Sequence, residues 1–87
     1  MELTKKEGKI LETFEGAFNK DKGINFLVNK KDFSEEEVDK SIEKLVKEGY
    51  LDVLDDMGDD GNEIWLITNY EKISQKELDS LIGRSWT

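Results

Sequence analysis

Lysine and carboxylate spacing are the chemical signals in this chain. Lys40, Lys44 and Lys47 recur at helical spacing, with Ser41 beside them, and Lys30 and Lys31 stand just upstream. Lys20 and Lys22 add two more ammonium groups. Lysines gathered on one side of a domain supply point charges for phosphate, whatever the base sequence behind it. The opposite chemistry lies further along. Asp55, Asp56, Asp59, Asp60 and Glu63 crowd a glycine-containing stretch suited to a basic surface or a cation. The cation reading fails on spacing, because a calcium loop of the EF-hand type needs oxygen ligands at alternate positions and Glu at the twelfth. Counted from Asp56, position three is Gly58 and position twelve is Ile67; counted from Asp55, position three is Met57.

Composition narrows the chemistry further. The chain of 87 residues has neither histidine nor cysteine, which removes disulfides, Cys/His zinc sites, thiol nucleophiles and the usual proton shuttle near neutral pH. No spacing of carboxylates, Lys or Ser suggests a catalytic pocket, so neither an enzyme nor a cofactor or metal site is expected. Charged residues make up 39% of the chain and the net charge is −8. A domain that grips phosphate is ordinarily basic, so this balance favours a protein partner or a basic surface. Arginine, the commonest reader of guanine, is confined to Arg84. No apolar run reaches the length of a membrane span and the N-terminus lacks the apolar centre of a signal peptide; a soluble cytoplasmic protein is expected.

The elements that must position these side chains are legible from caps and periodicity. Thr4 with Glu7 forms a capping box, and Ile10, Leu11, Phe14, Ala17 and Phe18 share one face, predicting a first helix to about Asn19. Gly8 and Gly16 fall towards the other side, where each costs about 1 kcal/mol relative to Ala and is read as a tolerated weakness, not as room for a partner helix. Residues 19–23 read as a polar loop, Ile24 as a short extended bridge, and Asn25 as the cap of a short helix from Phe26 to about Lys31. Phe26, Leu27 and Val28 are its expected buried contacts. The stretch Phe33 to Leu51 is the clearest in the chain. Ser34 and Glu37 form a capping box, Phe33 and Val38 a hydrophobic staple, and Val38, Ile42, Leu45 and Val46 an inward face ended by Gly49.

Two strands follow, Tyr50 to Leu54 and Glu63 to Thr68, around the acidic turn. Both are apolar on both faces, so a hairpin covered on one face needs something on the other. Ser74 and Glu77 cap a last helix ended by Gly83, with Ile73 and Leu78 as its staple, and Trp86 beyond it. That helix is expected to pack within its own chain and to supply the missing cover. The whole reads as one domain, 1–68 forming the core and hairpin and 69–87 the C-terminal helix and tail.

The segments FLVNKKDFSEEEVDKSIEKLVKEGYL and IWLIT, with the apolar face of the first helix, resemble the winged helix-turn-helix superfamily across about Leu3 to Thr68. KLVKEGYL is similar to the family's junction between recognition helix and wing, and IWLIT to its returning strand. Lys31 and Asp32 stand where the family often has an apolar residue and a glycine. The resemblance implies an α+β, mainly helical winged helix: a three-helix core with a helix-turn-helix, a two-stranded β-hairpin wing and an extra C-terminal helix. It also implies a DNA-binding transcriptional regulator that touches duplex DNA through Lys30, Lys31, Lys40, Ser41, Lys44 and Lys47, as a homodimer. The charge pattern keeps a second reading open. The half of the third helix that would meet base edges is Glu35, Glu36, Glu37 and Asp39, and the wing is acidic. On that reading the domain binds a protein, a basic one included, through its acidic wing or its apolar hairpin and C-terminal surface, with Asp55, Asp56, Asp59, Asp60, Trp65 and Trp86 as the contact residues.

Overall fold

The computed structural model describes residues 2–29, 33–55 and 63–83. In chain order they form α1 (Lys5–Thr13), β1 (Phe18–Asn19), α2 (Lys20–Asn29), α3 (Glu35–Lys47), β2 (Leu51–Asp55), β3 (Ile64–Thr68) and α4 (Gln75–Ile82). The fold is α+β, with four helices and an antiparallel sheet in the order β1-β3-β2. No helix among these residues is long and apolar enough to cross a membrane.

The caps anticipated for α1 and α4 are complete. The Glu7 amide donates to Thr4 Oγ1 and the Glu7 carboxylate accepts from the Thr4 amide; Ser74 and Glu77 repeat the exchange. At α3 only half of the box forms. Ser34 Oγ accepts from the Glu37 amide at 3.1 Å, but the Glu37 carboxylate swings to Lys6 on α1, 3.1 Å away. An ion pair across two helices replaces the local return bond. The staple residues Phe33 and Val38 are both buried in the core, with Ile42 and Leu45. Gly49, at φ 89°, closes α3 in the left-handed conformation. The Tyr50 amide reaches back to the Leu45 carbonyl and the Gly49 amide to that of Val46, the paired bonds of a Schellman ending.

The first helix is shorter than its apolar periodicity predicts. It stops at Thr13, and Phe18 and Asn19 join the sheet opposite Leu66 and Trp65. Thr68 explains the stop. Its amide donates to the Phe14 carbonyl at 2.7 Å and its hydroxyl to the Leu11 carbonyl at 2.6 Å. A continuing helix would give those two carbonyls to the amides of Phe18 and Glu15. The sheet takes the Phe14 carbonyl instead and shares that of Leu11 with the Phe14 amide.

The polar loop anticipated at 19–23 is the start of α2. Asn19 Oδ1 accepts from the Lys22 amide at 3.0 Å, so Asn19, and not Asn25, supplies the local cap. Ile24, expected to be extended, is helical and buried with Gly23 and Leu27. That inward face leaves Phe26 on the outside, 48% exposed, which corrects its expected place in the core. Gly23 is where Phe14 lies; a Cβ built there would stand 2.7 Å from Phe14 Cε1.

The sheet has one helix-facing side, where Leu51, Leu66 and Thr68 are buried. Leu54, Trp65 and Ile67 point the other way and stay half-buried. α4 does not cover them. It packs within its own chain, but against α1: Leu78 is fully buried, and a Cβ at Gly8 would come within 2.7 Å of Ile82 Cγ2 and 2.9 Å of Leu81 Cδ2. Gly8 is therefore the place where a helix approaches closely, not a tolerated weakness. Gly16 lies beyond the end of α1 in open space.

Two stability predictions follow from these contacts. Gly23→Ala, forced against the buried Phe14 ring, lowers unfolding free energy by about 1–3 kcal/mol in urea titration, whereas Gly16→Ala changes it by less than about 1 kcal/mol. Thr68→Val keeps the shape but leaves the Leu11 carbonyl with the Phe14 amide alone, and lowers stability by about 1 kcal/mol in the same assay.

Candidate interaction surface

The outward side of α3 is built by the inward placement of Val38, Ile42 and Leu45, which leaves Glu35, Glu36, Glu37, Lys40, Glu43, Lys44 and Lys47 exposed. Ser41 is half-buried beside them. Counting the whole helix, five carboxylates accompany three ammonium groups. The cations are largely occupied. Lys40 Nζ lies 3.0 Å from Glu36 Oε1, one turn earlier, and Lys44 Nζ lies 3.4 Å from Glu7 Oε2 on α1. Lys20 on α2 lies 3.6 Å from Asp39, and Lys6 on α1 holds Glu37. Among the described residues Lys47 makes no ion pair. Lys30 and Lys31 lie outside the described residues, so the structure brings together only Lys40, Ser41, Lys44 and Lys47 of the phosphate-binding set.

Lys44 differs from the others in its partner. Glu7 sits at the third position of α1, buried beneath the helices, where its Oε1 accepts from the Thr4 amide at 2.8 Å and from the Thr4 hydroxyl at 3.1 Å. Burial pushes its carboxyl group up, but the Thr4 bonds and the Lys44 ammonium together outweigh burial and hold it below the ordinary carboxylate range. Lys44 thus neutralises a buried acid and ties α3 to α1. No spacing in the sequence marks this pair, since the partners are far apart in the chain and meet only when the helices pack.

Of the acidic and aromatic set, Trp65 is half-buried on the outer face of the sheet, its indole N–H donating to Glu63 Oε2 at 3.3 Å. Asp55 ends β2; its side chain lies outside the described residues, as do Asp56, Asp59, Asp60 and Trp86. The calcium loop tested above falls largely in that same segment. Among the described residues no three acidic side chains cluster as a metal site would require.

The apolar hairpin was an expected partner surface, but the groove it forms with a helix was not. The groove lies between α3 and the sheet, about 290 Å³ in volume, and Ile42, Val46, Val53, Ile64 and Leu66 form most of its lining. Val53 and Ile64 are 41% and 42% exposed at its edge. Their alternation with Leu54 and Trp65 marked the hairpin as apolar on both faces, which was the available signal. What it could not show is that α3 covers Leu51 and Leu66 but stops short of the next pair along the strands. A second recess, lined by Thr13, Gly16, Ala17, Phe18 and Phe26, opens beside the exposed Phe26 ring.

The Glu7–Lys44 link sets a pH prediction. A carboxylate whose folded pKa is depressed contributes stability fully above its unfolded value, ordinarily 4.5, and loses that contribution as pH falls through the lower folded value. Lys44→Met removes one of the causes that lower it, so the Glu7 carboxyl resonance titrates at higher pH. Stability at neutral pH falls by about 1 kcal/mol, limited by the exposure of Lys44 to water, and the acid-unfolding midpoint moves up.

The chain matches no protein-family model, no curated protein and no solved structure.

Proposed function

We propose that this chain is a winged-helix-type module that binds a protein partner and does not read duplex DNA. The winged-helix part rests on consecutive, mutually packed α2 and α3 and on the β2–β3 pair that leaves α3 through Gly49. The choice of partner rests on one observation: two of the three α3 lysines, Lys40 and Lys44, are paired with carboxylates that share that face or lie beneath it, and Lys20 beside them is paired with Asp39. A phosphate approaching Lys40 meets Glu36, and one that draws Lys44 away leaves the buried Glu7 charge supported by Thr4 alone. Glu35, Glu37, Asp39 and Glu43 add like charge to the same approach, on a chain of net charge −8. The apolar groove beside Val53 and Ile64 offers instead the desolvated contact area from which protein interfaces draw affinity.

A DNA-binding regulator is the second reading, favoured by Lys40, Ser41, Lys44 and Lys47 standing together along α3. Fluorescence anisotropy with mixed-sequence labelled duplexes at low salt separates the two. The protein-binding reading expects no saturable binding. Binding that falls steeply with added salt, and falls again in Lys40→Glu with Lys47→Glu, overturns it in favour of DNA.

A further inference from the structure

β2 is an edge strand, since the sheet runs β1-β3-β2 and no described element pairs with its far side. The direction of its backbone groups follows from one bond. The Asn69 amide donates to the Tyr50 carbonyl at 2.9 Å, and these residues are opposite each other in a register that pairs Leu51 with Thr68. Hydrogen-bonded pairs alternate with unbonded ones along an antiparallel ladder. Asp52 and Leu54 therefore turn their N–H and C=O groups to β3, while Leu51, Val53 and Asp55 turn theirs to the open side. The other edge of β3 agrees, because the Thr68 amide, opposite Leu51, goes to Phe14 and not to β2.

Such an edge is a template for another strand. Its two faces differ in chemistry. On the helix side an incoming strand would lie along Val53 and the groove that Ile42 and Val46 line, whose cations, Lys20 and Lys47, belong to the helical wall. On the outer side it would meet the exposed Asp52, with Glu63 on the same face beside Trp65. A second copy of this chain fits poorly. Antiparallel self-pairing about Val53 would set the two Asp52 side chains as diagonal neighbours, about 7–8 Å apart on one face, and bring together two chains of net charge −8.

We infer that the open edge of β2 takes an extended segment of a basic protein, its apolar residues directed to Val53 and the α3 groove and its Lys or Arg side chains directed to Asp52. This rests on the protein-binding reading and names the kind of partner that the surface suits. The test uses two short synthetic peptides, one alternating Lys with Val and one alternating Glu with Val, titrated into the labelled full chain at low salt. The Lys/Val peptide is expected to bind and to slow amide exchange at Val53 about tenfold or more, with Asp52 and Leu54, already bonded to β3, little changed. The Glu/Val peptide is expected not to bind. Asp52→Lys should weaken the Lys/Val peptide about three- to tenfold and admit the Glu/Val peptide. Val53→Pro, which removes an N–H that the β2–β3 ladder does not use, should abolish pairing with either; Asp52→Lys carries the test if that variant fails to fold. Lys/Val binding without protection at Val53, or equal binding of both peptides, overturns the edge assignment and leaves the protein-binding reading standing. No binding of either peptide also overturns the edge assignment, and the duplex titration then decides the broader reading by itself. Protection of Val53 that grows with protein concentration alone gives the edge to a second copy and overturns the basic partner.

Discussion

Thr68 is the residue on which the arrangement of this fold depends. Its amide and hydroxyl together satisfy the carbonyls of Phe14 and Leu11, the two groups that a longer first helix would have kept for itself. With those carbonyls bonded to the sheet, the chain leaves the helix at Phe14, and Phe18 and Asn19 are free to become β1. Asn19 then supplies the cap at which α2 begins. A buried carbonyl without a partner costs about 1–3 kcal/mol. The junction therefore sets the helix end, the third strand and the start of the second helix at once.

A second joint, between Glu7 and Lys44, fixes the other side of α3. One carboxylate caps its own helix through Thr4 and accepts an ammonium from the next layer. The same lysine cannot both hold that buried charge and stand free on the surface. Lys6 and Lys20 are drawn to Glu37 and Asp39 in a similar way, though in water, where such pairs contribute at most about 1 kcal/mol each. Of the lysine stripe, helix packing commits Lys44 to a buried acid, while Lys40 pairs with Glu36 on its own helix. What is left on the outer side of α3 is a mixed surface with more carboxylates than ammonium groups.

Binding chemistry then shifts from charge towards shape. α3 covers the sheet only from Leu51 and Leu66 inward, so Val53 and Ile64 stand uncovered at the mouth of an apolar groove. The same strand that presents Val53 also presents a backbone edge that no described element pairs with. Hydrophobic area, open hydrogen-bonding groups and a carboxylate on the far face are thus brought together by one strand. Strand addition combines such elements: main-chain bonds supply affinity and alternate side chains supply selectivity.

Local chemistry determined much of this protein in advance. Thr4, Ser34 and Ser74 mark three of the four helix starts because a hydroxyl that accepts a nearby amide acts within one turn and needs no distant partner. Gly49 marks the end of α3 for the same reason, and the Val38–Ile42–Leu45 spacing dictates which face goes inward. Periodicity failed where a long-range bond was stronger. The face that ran through Ala17 and Phe18 was cut by Thr68, fifty-seven residues from Leu11, and a stretch rich in Asn, Lys and Gly became the start of a helix once Asn19 was held in the sheet. Gly8 looked like a weak point in a helix, and Gly23 like the end of a loop, until Ile82 and Phe14 came to lie against them. The surface was the least legible part. Side-chain type says which groups carry charge, but only packing decides whether a lysine meets water, a neighbouring turn or a buried acid. For Lys44 it was the buried acid, and that pairing redirects the functional reading of the helix this fold is built around.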